Sequence, residues 1–194
     1  MQYVLASASP RRKELLKEII AEFEIIPSAF DESGVQSPSI SRLVQSLAEG
    51  KAKEVALKKE NEGKIVIGSD TVVAYGREVL GKPQDEADAT RMLSLLSGKK
   101  HYVYTGVCFC QCVGGKVKVY AKHAKTAVYF EKLSKEQIEA YVATGSPMDK
   151  AGAYGIQDGG LVKKIKGSYS GVVGLPVELV KKMYQKITKR GWGV

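Results

Sequence analysis

The chain has 194 residues, 44% of them hydrophobic, and a formal net charge of +9 at pH 7, which is enough apolar material for one sizeable core. No stretch approaches the roughly 18 consecutive apolar residues of a membrane helix, and the first residues lack the pattern of a signal peptide. We therefore expect a single domain over residues 1–194, in the cytoplasm, with no membrane partner.

The chain opens with an apolar strand, a tight turn and an amphipathic helix. Ser9 stands at the position of an N-cap and Pro10 at that of the first helical residue. Arg11 and Arg12 then fall in the first helical turn, where the positive end of the helix dipole disfavours cations. These guanidinium groups, free helix amides and the hydroxyls of Ser7 and Ser9 together predict an anion site, such as one for phosphate.

Apolar spacing and turn residues predict the elements of the whole chain. Strands are predicted over residues 3–6, 23–28, 64–67 with a resumption at 72–73, 101–113, 116–130 and 161–165, and helices from residue 10, over 39–59, 85–96 and 134–142, and after 176. This order predicts an α/β fold with a mixed, twisted central sheet flanked by helices. We expect the active site in a cleft between two lobes.

Lys51 lies on the edge of the apolar stripe of the predicted helix 39–59, three residues after Ala48. A lysine at such an edge either extends its ammonium group to solvent or reaches into a site. The spacing alone leaves both interpretations open.

Asp70 interrupts an otherwise apolar strand. A carboxylate there is partly desolvated, which suits it to activating water or holding a metal, although a turn residue that caps local amides is the alternative. With Glu32 in a polar loop it could bind a divalent cation through oxygen ligands. Lys82, between Gly81 and Pro83, could place a positive charge against phosphate, as could many loop lysines.

The cysteines and histidines indicate packing rather than chemistry. Cys108, Cys110 and Cys112 alternate along one strand, so they face one way and cannot pair with one another. We interpret them as small buried side chains in a reducing compartment rather than as a metal site. His101 and His123 are each isolated in strands and are predicted to be structural.

The rest of the chain offers a glycine-spaced loop and a basic last helix. Residues 149–157 are either a plain turn or a ligand loop in which the amide of Gln157 reads a base edge. No Walker or dinucleotide-binding glycine motif is present. The lysines of the last helix border an apolar stripe and therefore indicate a solvated face, so we expect no stable nucleic-acid partner.

Six segments carry a family resemblance. In order and spacing, residues 5–12, 69–71, 81–83, 105–107, 149–157 and 174–176 resemble the Maf family of nucleoside triphosphate pyrophosphatases, over nearly the whole chain. The resemblance implies hydrolysis between the α and β phosphates, giving a monophosphate and pyrophosphate, with Mg²⁺ or Mn²⁺ as cofactor. It also implies one Maf-like domain over residues 1–194 and makes a homodimer the expected assembly.

The resemblance also implies roles for eight residues. Asp70 would accept the proton of the attacking water and, with Glu32, would hold the metal. The residues matching positions of substrate choice are Arg11, Thr71 and Gln157, and those matching phosphate-binding positions are Arg12, Lys51 and Lys82. The hydroxyls of Ser7 and Ser9, which belong to the anion site predicted at the start of the first helix, are also expected to bind phosphate.

The block of residues 152–157 resembles the branch that acts on dTTP and UTP, and modified pyrimidine nucleotides are further possible substrates. Asp158 departs from that branch, which usually has glycine there; an acid beside the amide of Gln157 could alter base preference or repel phosphate. Two alternatives are a 7-methyl-GTP pyrophosphatase and a non-enzymatic regulatory or nucleic-acid-binding protein that affects cell division.

Overall fold

A mixed seven-stranded sheet forms the centre of the structure, a computed structural model that describes residues 1–192; the last two residues of the expected domain lie outside the described residues. The strands are β1 (Tyr3–Leu5), β2 (Glu24–Ile25), β3 (Ile65–Tyr75), β4 (Glu78–Leu80), β5 (Lys100–Val113), β6 (Lys116–Phe130) and β7 (Val162–Lys166). The helices are α1 (Pro10–Lys17), α2 (Ile40–Ala56), α3 (Glu86–Leu96), α4 (Lys135–Ala143), α5 (Tyr169–Val173) and α6 (Val177–Lys189).

The strand order is β2-β1-β3-β5-β6-β7, with β4 paired to β3. β1 runs parallel to β2 and β3, whereas the pairs β3–β4, β3–β5, β5–β6 and β6–β7 are antiparallel. The predicted hairpin of β5 and β6 is confirmed, because Val113 and Lys116 pair across the turn at Gly114 and Gly115. The predicted mixed α/β sheet is therefore confirmed.

One face of the sheet is covered by α2. Ala48 and Ala52 of this helix pack against Val66, Cys108 and Cys110 of β3 and β5. The cysteines are thus buried core residues, and burial raises the pKa of both thiols. Small side chains on both partners let the helix lie close to the sheet.

Two separate apolar clusters cover the opposite face. α1 and α6 pack at the Ile65 and Ile67 end of β3, whereas α3 and α4 pack around Val73. Side chains alternate along a strand, so these three residues and the intervening Ser69 and Thr71 point the same way. Ser69 is fully buried, whereas Thr71 lines a cleft, so the expected cleft is present at this part of β3.

Two glycines determine how closely α2 approaches the sheet. A Cβ on Gly106 would lie 2.0 Å from the carbonyl oxygen of Val44, and one on Gly68 would lie 2.2 Å from that of Ala48. Both carbonyls belong to backbone, which cannot move aside as a flexible side chain does. The absence of a side chain at these two positions thus allows α2 to pack directly over the middle of β3.

We expect Gly106→Ala to lower the free energy of unfolding by about 1–3 kcal/mol, because the added methyl group must displace the α2 backbone. Urea denaturation measures the change. Gly34→Ala is the matched control, since a Cβ at Gly34 meets nothing within 4 Å. Equal stabilities of the two variants would contradict the close approach.

The structure corrects four features of the sequence prediction. β2 spans two residues rather than the predicted six, and β3 runs unbroken from Ile65 to Tyr75. Asp70 therefore lies within a strand and is not a turn residue. Both β4 and α5 were missed. Residues 146–158, which include the predicted turn or ligand loop over residues 149–157, form three short 3-10 turns. Within residues 1–192, no helix has the length and apolar character needed to cross a membrane.

Candidate active site

A cleft of about 670 Å³ opens between the two apolar clusters, a volume typical of small-molecule sites. Its walls come from the first turn of α1, the side of α2, the middle of β3, the loop after β4, the 3-10 turns and the end of α5. All ten residues predicted for the site line it: Ser7, Ser9, Arg11, Arg12, Glu32, Lys51, Asp70, Thr71, Lys82 and Gln157.

Asp70 and Lys51 form a close ion pair in the cleft. The Nζ atom of Lys51 lies 2.6 Å from Oδ1 of Asp70 and 2.8 Å from Oε1 of Glu32. The Asp70 side chain is 10% exposed, so most of its surface is removed from water. Lys51 thus reaches into the cleft instead of extending to solvent, which resolves the alternative that its helical spacing left open.

The two carboxylates fit a divalent cation. Glu32 and Asp70 already converge on one positive charge, the ammonium group of Lys51. Within residues 1–192, no group of three or more His, Cys, Asp or Glu side chains is placed to hold a metal. Glu32 and Asp70 are therefore the two carboxylates that would hold a divalent cation, and one or two carboxylates are common at Mg²⁺ sites on phosphates.

Arg12 is held at three points. Its Nε donates to the carbonyl oxygen of Gly174 at 3.0 Å, and its Nη1 and Nη2 atoms donate to the hydroxyls of Ser7 and Thr71 at 3.4 Å each. Burial lowers the pKa of Arg12, and the negative charge of Asp70 raises it. A guanidinium group stays protonated at neutral pH, so Arg12 brings a fixed positive charge to the cleft.

The first turn of α1 is built as predicted. The hydroxyl of Ser9 caps the helix by accepting a hydrogen bond from the Arg12 amide, and Pro10 follows it. Arg11, the neighbouring cation, pairs with Asp149 at 2.9 Å. Burial opposes ionisation of Asp149, but hydrogen bonds from Lys150 and Arg11 hold the pKa of its carboxyl below the usual value. This pair links α1 to the 3-10 turns across the cleft.

The α5 segment supplies parts of the site that the sequence did not reveal. The hydroxyl of Ser69 shares its single proton between the carbonyl oxygens of Gly106 and Gly174, at 2.9 and 3.0 Å. The hydroxyl of Thr105 donates to the carbonyl oxygen of Gly171. Thr71 lies 3.1 Å from Thr105, hydroxyl to hydroxyl. The hydroxyls on β3 and β5 therefore fix the glycine-rich α5 segment that in turn holds Arg12. In the sequence, these hydroxyl residues stand at alternating positions of strands that are otherwise rich in apolar residues, and this pattern could have indicated their role.

The remaining wall is formed by the 3-10 turns. Gln157 lines it as an exposed residue, and Lys82, also exposed, lines the cleft from the loop after β4. Tyr154 is buried in this wall and its hydroxyl lies 2.8 Å from Nε2 of His101. Burial lowers the pKa of His101 to about 4, so the imidazole is neutral at pH 7 and supports Tyr154 as a structural residue.

Asp158, the acid that could alter base preference or repel phosphate, does not line the cleft. Its carboxylate accepts hydrogen bonds from the hydroxyls of Tyr141 and Ser146. Lys150 adds an ion pair, with its Nζ atom 3.8 Å from Oδ2 of Asp158. The carboxylate is therefore turned away from the substrate space and toward α4.

An α/β sheet that opens a cationic cleft around a buried carboxylate defines an enzyme of the class that acts on polyanionic small molecules. Sequence comparison gives the particular family. The chain belongs to the Maf family, because the family model described as Maf-like protein matches residues 2–187.

The chain is similar to several curated bacterial proteins named dTTP/UTP pyrophosphatase. One from Clostridium botulinum (strain Kyoto / Type A2) is 47% identical over 188 residues, which cover 95% of this chain and 96% of the relative. Another, from Agathobacter rectalis, is 47% identical over 204 residues, with 98% of each chain covered. A third, from Clostridium novyi, is 48% identical and covers 95% of this chain and 96% of its own.

The fold is similar to that of solved HAM1 proteins. The structure of a HAM1 protein from Coxiella burnetii matches with a TM-score of 0.51 at 13% identity, covering 96% of this chain and 99% of that one. The Ham1 protein of Staphylococcus aureus matches with the same score and coverage at 14% identity. At this identity the likeness establishes the shared fold only.

Proposed function

We propose that this protein hydrolyses dTTP and UTP to the corresponding monophosphate and pyrophosphate. The observation that carries the proposal is a cleft that the buried carboxylate of Asp70 shares with the cations Arg11, Arg12, Lys51 and Lys82. A triphosphate has up to four negative charges, and a site for it needs several fixed positive charges. The similarity to relatives named dTTP/UTP pyrophosphatase supports the choice of nucleotides.

In this proposal Asp70 is the general base. A water molecule between Asp70 and the α-phosphorus loses a proton to the carboxylate as its oxygen attacks phosphorus, and the bond to the bridging oxygen breaks. Pyrophosphate leaves with the electron pair of that bond. Arg12 and Lys82 bind the phosphates and offset the charge that develops on the leaving group.

A divalent cation, Mg²⁺ or Mn²⁺, is part of the proposal. When bound by Glu32 and Asp70 it would supply Lewis-acid stabilisation to the phosphate oxygens. Lys51 pairs with both carboxylates, so it is placed to keep them together and to contact a phosphate that approaches them. The cytoplasm is the proposed location, since three free cysteines in the core favour a reducing compartment.

The test is incubation of the purified protein with Mg²⁺ or Mn²⁺ and a nucleotide panel that includes UTP, dTTP, CTP, ATP and 7-methyl-GTP. We expect pyrophosphate and monophosphate in equal amounts, fastest from UTP and dTTP, and no turnover after metal removal with a chelator. Release of orthophosphate, or no release from any triphosphate, would refute the reaction. Faster turnover of 7-methyl-GTP than of UTP would replace the proposed substrate class.

A further inference from the structure

A polar network lies behind the cleft wall that carries Gln157. The hydroxyl of Tyr141, on α4, donates to Oδ2 of Asp158 and accepts a hydrogen bond from the backbone amide of Gly155 at 3.1 Å. The hydroxyl of Ser146 donates to the same Oδ2 atom at 2.9 Å. One carboxylate and one phenol therefore attach both ends of the segment 155–158 to α4 and to the turn that follows it.

Lys150 is the fourth side chain of the network and contacts both Ser146 and Asp158. Its Nζ atom donates to the carbonyl oxygen of Ser146 at 2.5 Å and to the Ser146 hydroxyl at 2.9 Å, and lies 3.8 Å from Asp158. The Lys150 side chain is 13% exposed and that of Asp158 is 24% exposed. Because both charges are largely removed from water, their contacts are screened less than those of a surface ion pair.

The backbone of the segment is in direct contact with these side chains. A Cβ on Gly155 would lie 2.8 Å from Oδ2 of Asp158 and 2.8 Å from Cε of Lys150. The segment itself has only a single 3-10 turn, with a backbone hydrogen bond from Asp158 to Gly155. A turn this short has little stability of its own, so the position of the segment depends on the network outside it.

We propose that Asp158 is a positioning residue that, through Tyr141 and Ser146, holds the segment 155–158 so that the Gln157 amide faces the nucleobase. This inference rests on the proposed function. Gln157 lines the cleft, and a side-chain amide offers both a donor and an acceptor to a base edge. The cations assigned to the phosphates, Arg12, Lys51 and Lys82, lie on other elements, so Asp158 acts on base recognition. Lys150, its ion-pair partner at 3.8 Å, also lines the cleft, and inhibition by pyrophosphate therefore measures whether the network contributes to phosphate binding.

The experiment compares Asp158→Ala and Tyr141→Phe with wild type, using Asp158→Asn as the conservative variant and Glu139→Gln as the control. Glu139 lies on the same helix as Tyr141, and its side chain is 57% exposed. The readouts are KM and kcat for UTP and CTP, inhibition by pyrophosphate, and amide hydrogen exchange of the segment 150–160.

We expect Asp158→Ala and Tyr141→Phe to raise KM for UTP about tenfold, because the segment that carries Gln157 loses its fixed position. The preference for UTP over CTP falls by a similar factor, inhibition by pyrophosphate stays at the wild-type value, and exchange of the segment accelerates. Asp158→Asn, whose amide oxygen still accepts from Tyr141, keeps most of the preference. Glu139→Gln matches wild type in every readout.

Two results would overturn the inference. One is an Asp158→Ala variant with wild-type preference and wild-type exchange. The other is an equal loss on UTP and CTP together with weakened pyrophosphate inhibition, which would indicate general damage to the site. If wild type itself released no pyrophosphate from any nucleotide, the proposed function would fail and the role in base recognition with it, while the exchange rates would still decide whether Asp158 holds the segment.

Discussion

Replacing Asp70 by asparagine is expected to remove nearly all turnover while leaving the protein folded. Asparagine has the shape of aspartate but almost no basicity, so the attacking water has no group to take its proton. General-base catalysis contributes roughly 10²–10⁴-fold to rates, and we therefore expect kcat on UTP to fall about a thousandfold. Steady-state pyrophosphate release by the purified variant, with saturating Mg²⁺, measures the effect.

Folding of this variant is expected to persist because Lys51 keeps a second partner. The ammonium group remains 2.8 Å from Glu32, so no buried positive charge is left without a carboxylate. Asp88→Asn is the matched control, since Asp88 lies in the first turn of α3, away from the cleft lining. A variant at Asp70 that kept more than about a tenth of wild-type kcat would exclude this carboxylate as the base.

Local sequence patterns predicted those cleft residues whose charge is unfavourable in the helix or strand that carries them. The cations in the first turn of α1 are unfavourable for an isolated helix, and the acid in β3 is unfavourable for a buried strand. Both Arg12 and Asp70 indeed line the cleft. Such unfavourable charges can be recognised from sequence because the helix dipole and the burial of a strand both depend on neighbouring residues.

Features that depend on distant partners could not be predicted in this way. Lys51 reaches Asp70 because glycines on β3 and β5 let α2 approach closely, and the pairing of these two strands is not visible in the helix pattern. Similarly, β3 continues through Gly68, Ser69 and Asp70, residues of low strand propensity, because β5 pairs with it along this whole length.

Short elements fixed by tertiary contacts were also beyond the sequence. α5 has five residues and is held by the hydroxyls of Ser69 and Thr105, which lie roughly 65 to 105 positions away in the chain. β2 was predicted too long because an apolar run does not determine how many of its residues pair with a neighbouring strand. Only two of its residues pair with β1, at the edge of the sheet.

Arg12→Lys is expected to lower kcat/KM about a hundredfold for UTP and dTTP alike, comparable to the loss of one preorganised donor in other active sites. Three N–H groups of Arg12 are engaged by Gly174, Ser7 and Thr71. A guanidinium group has five N–H donors, so two are left in fixed directions for phosphate. Lysine has one nitrogen and cannot keep these three contacts while also reaching a phosphate.

The comparison that isolates this geometry uses Arg91→Lys as the control, because Arg91 lies on the surface of α3 with a side chain 51% exposed. Both substitutions keep the positive charge. A difference between the rates of the two variants therefore reports the loss of the planar guanidinium geometry at Arg12. A hundredfold loss on both pyrimidine nucleotides, with unchanged relative preference, would place Arg12 at the phosphates. A loss confined to one nucleotide would instead assign Arg12 to base selection and leave phosphate binding to Lys51 and Lys82.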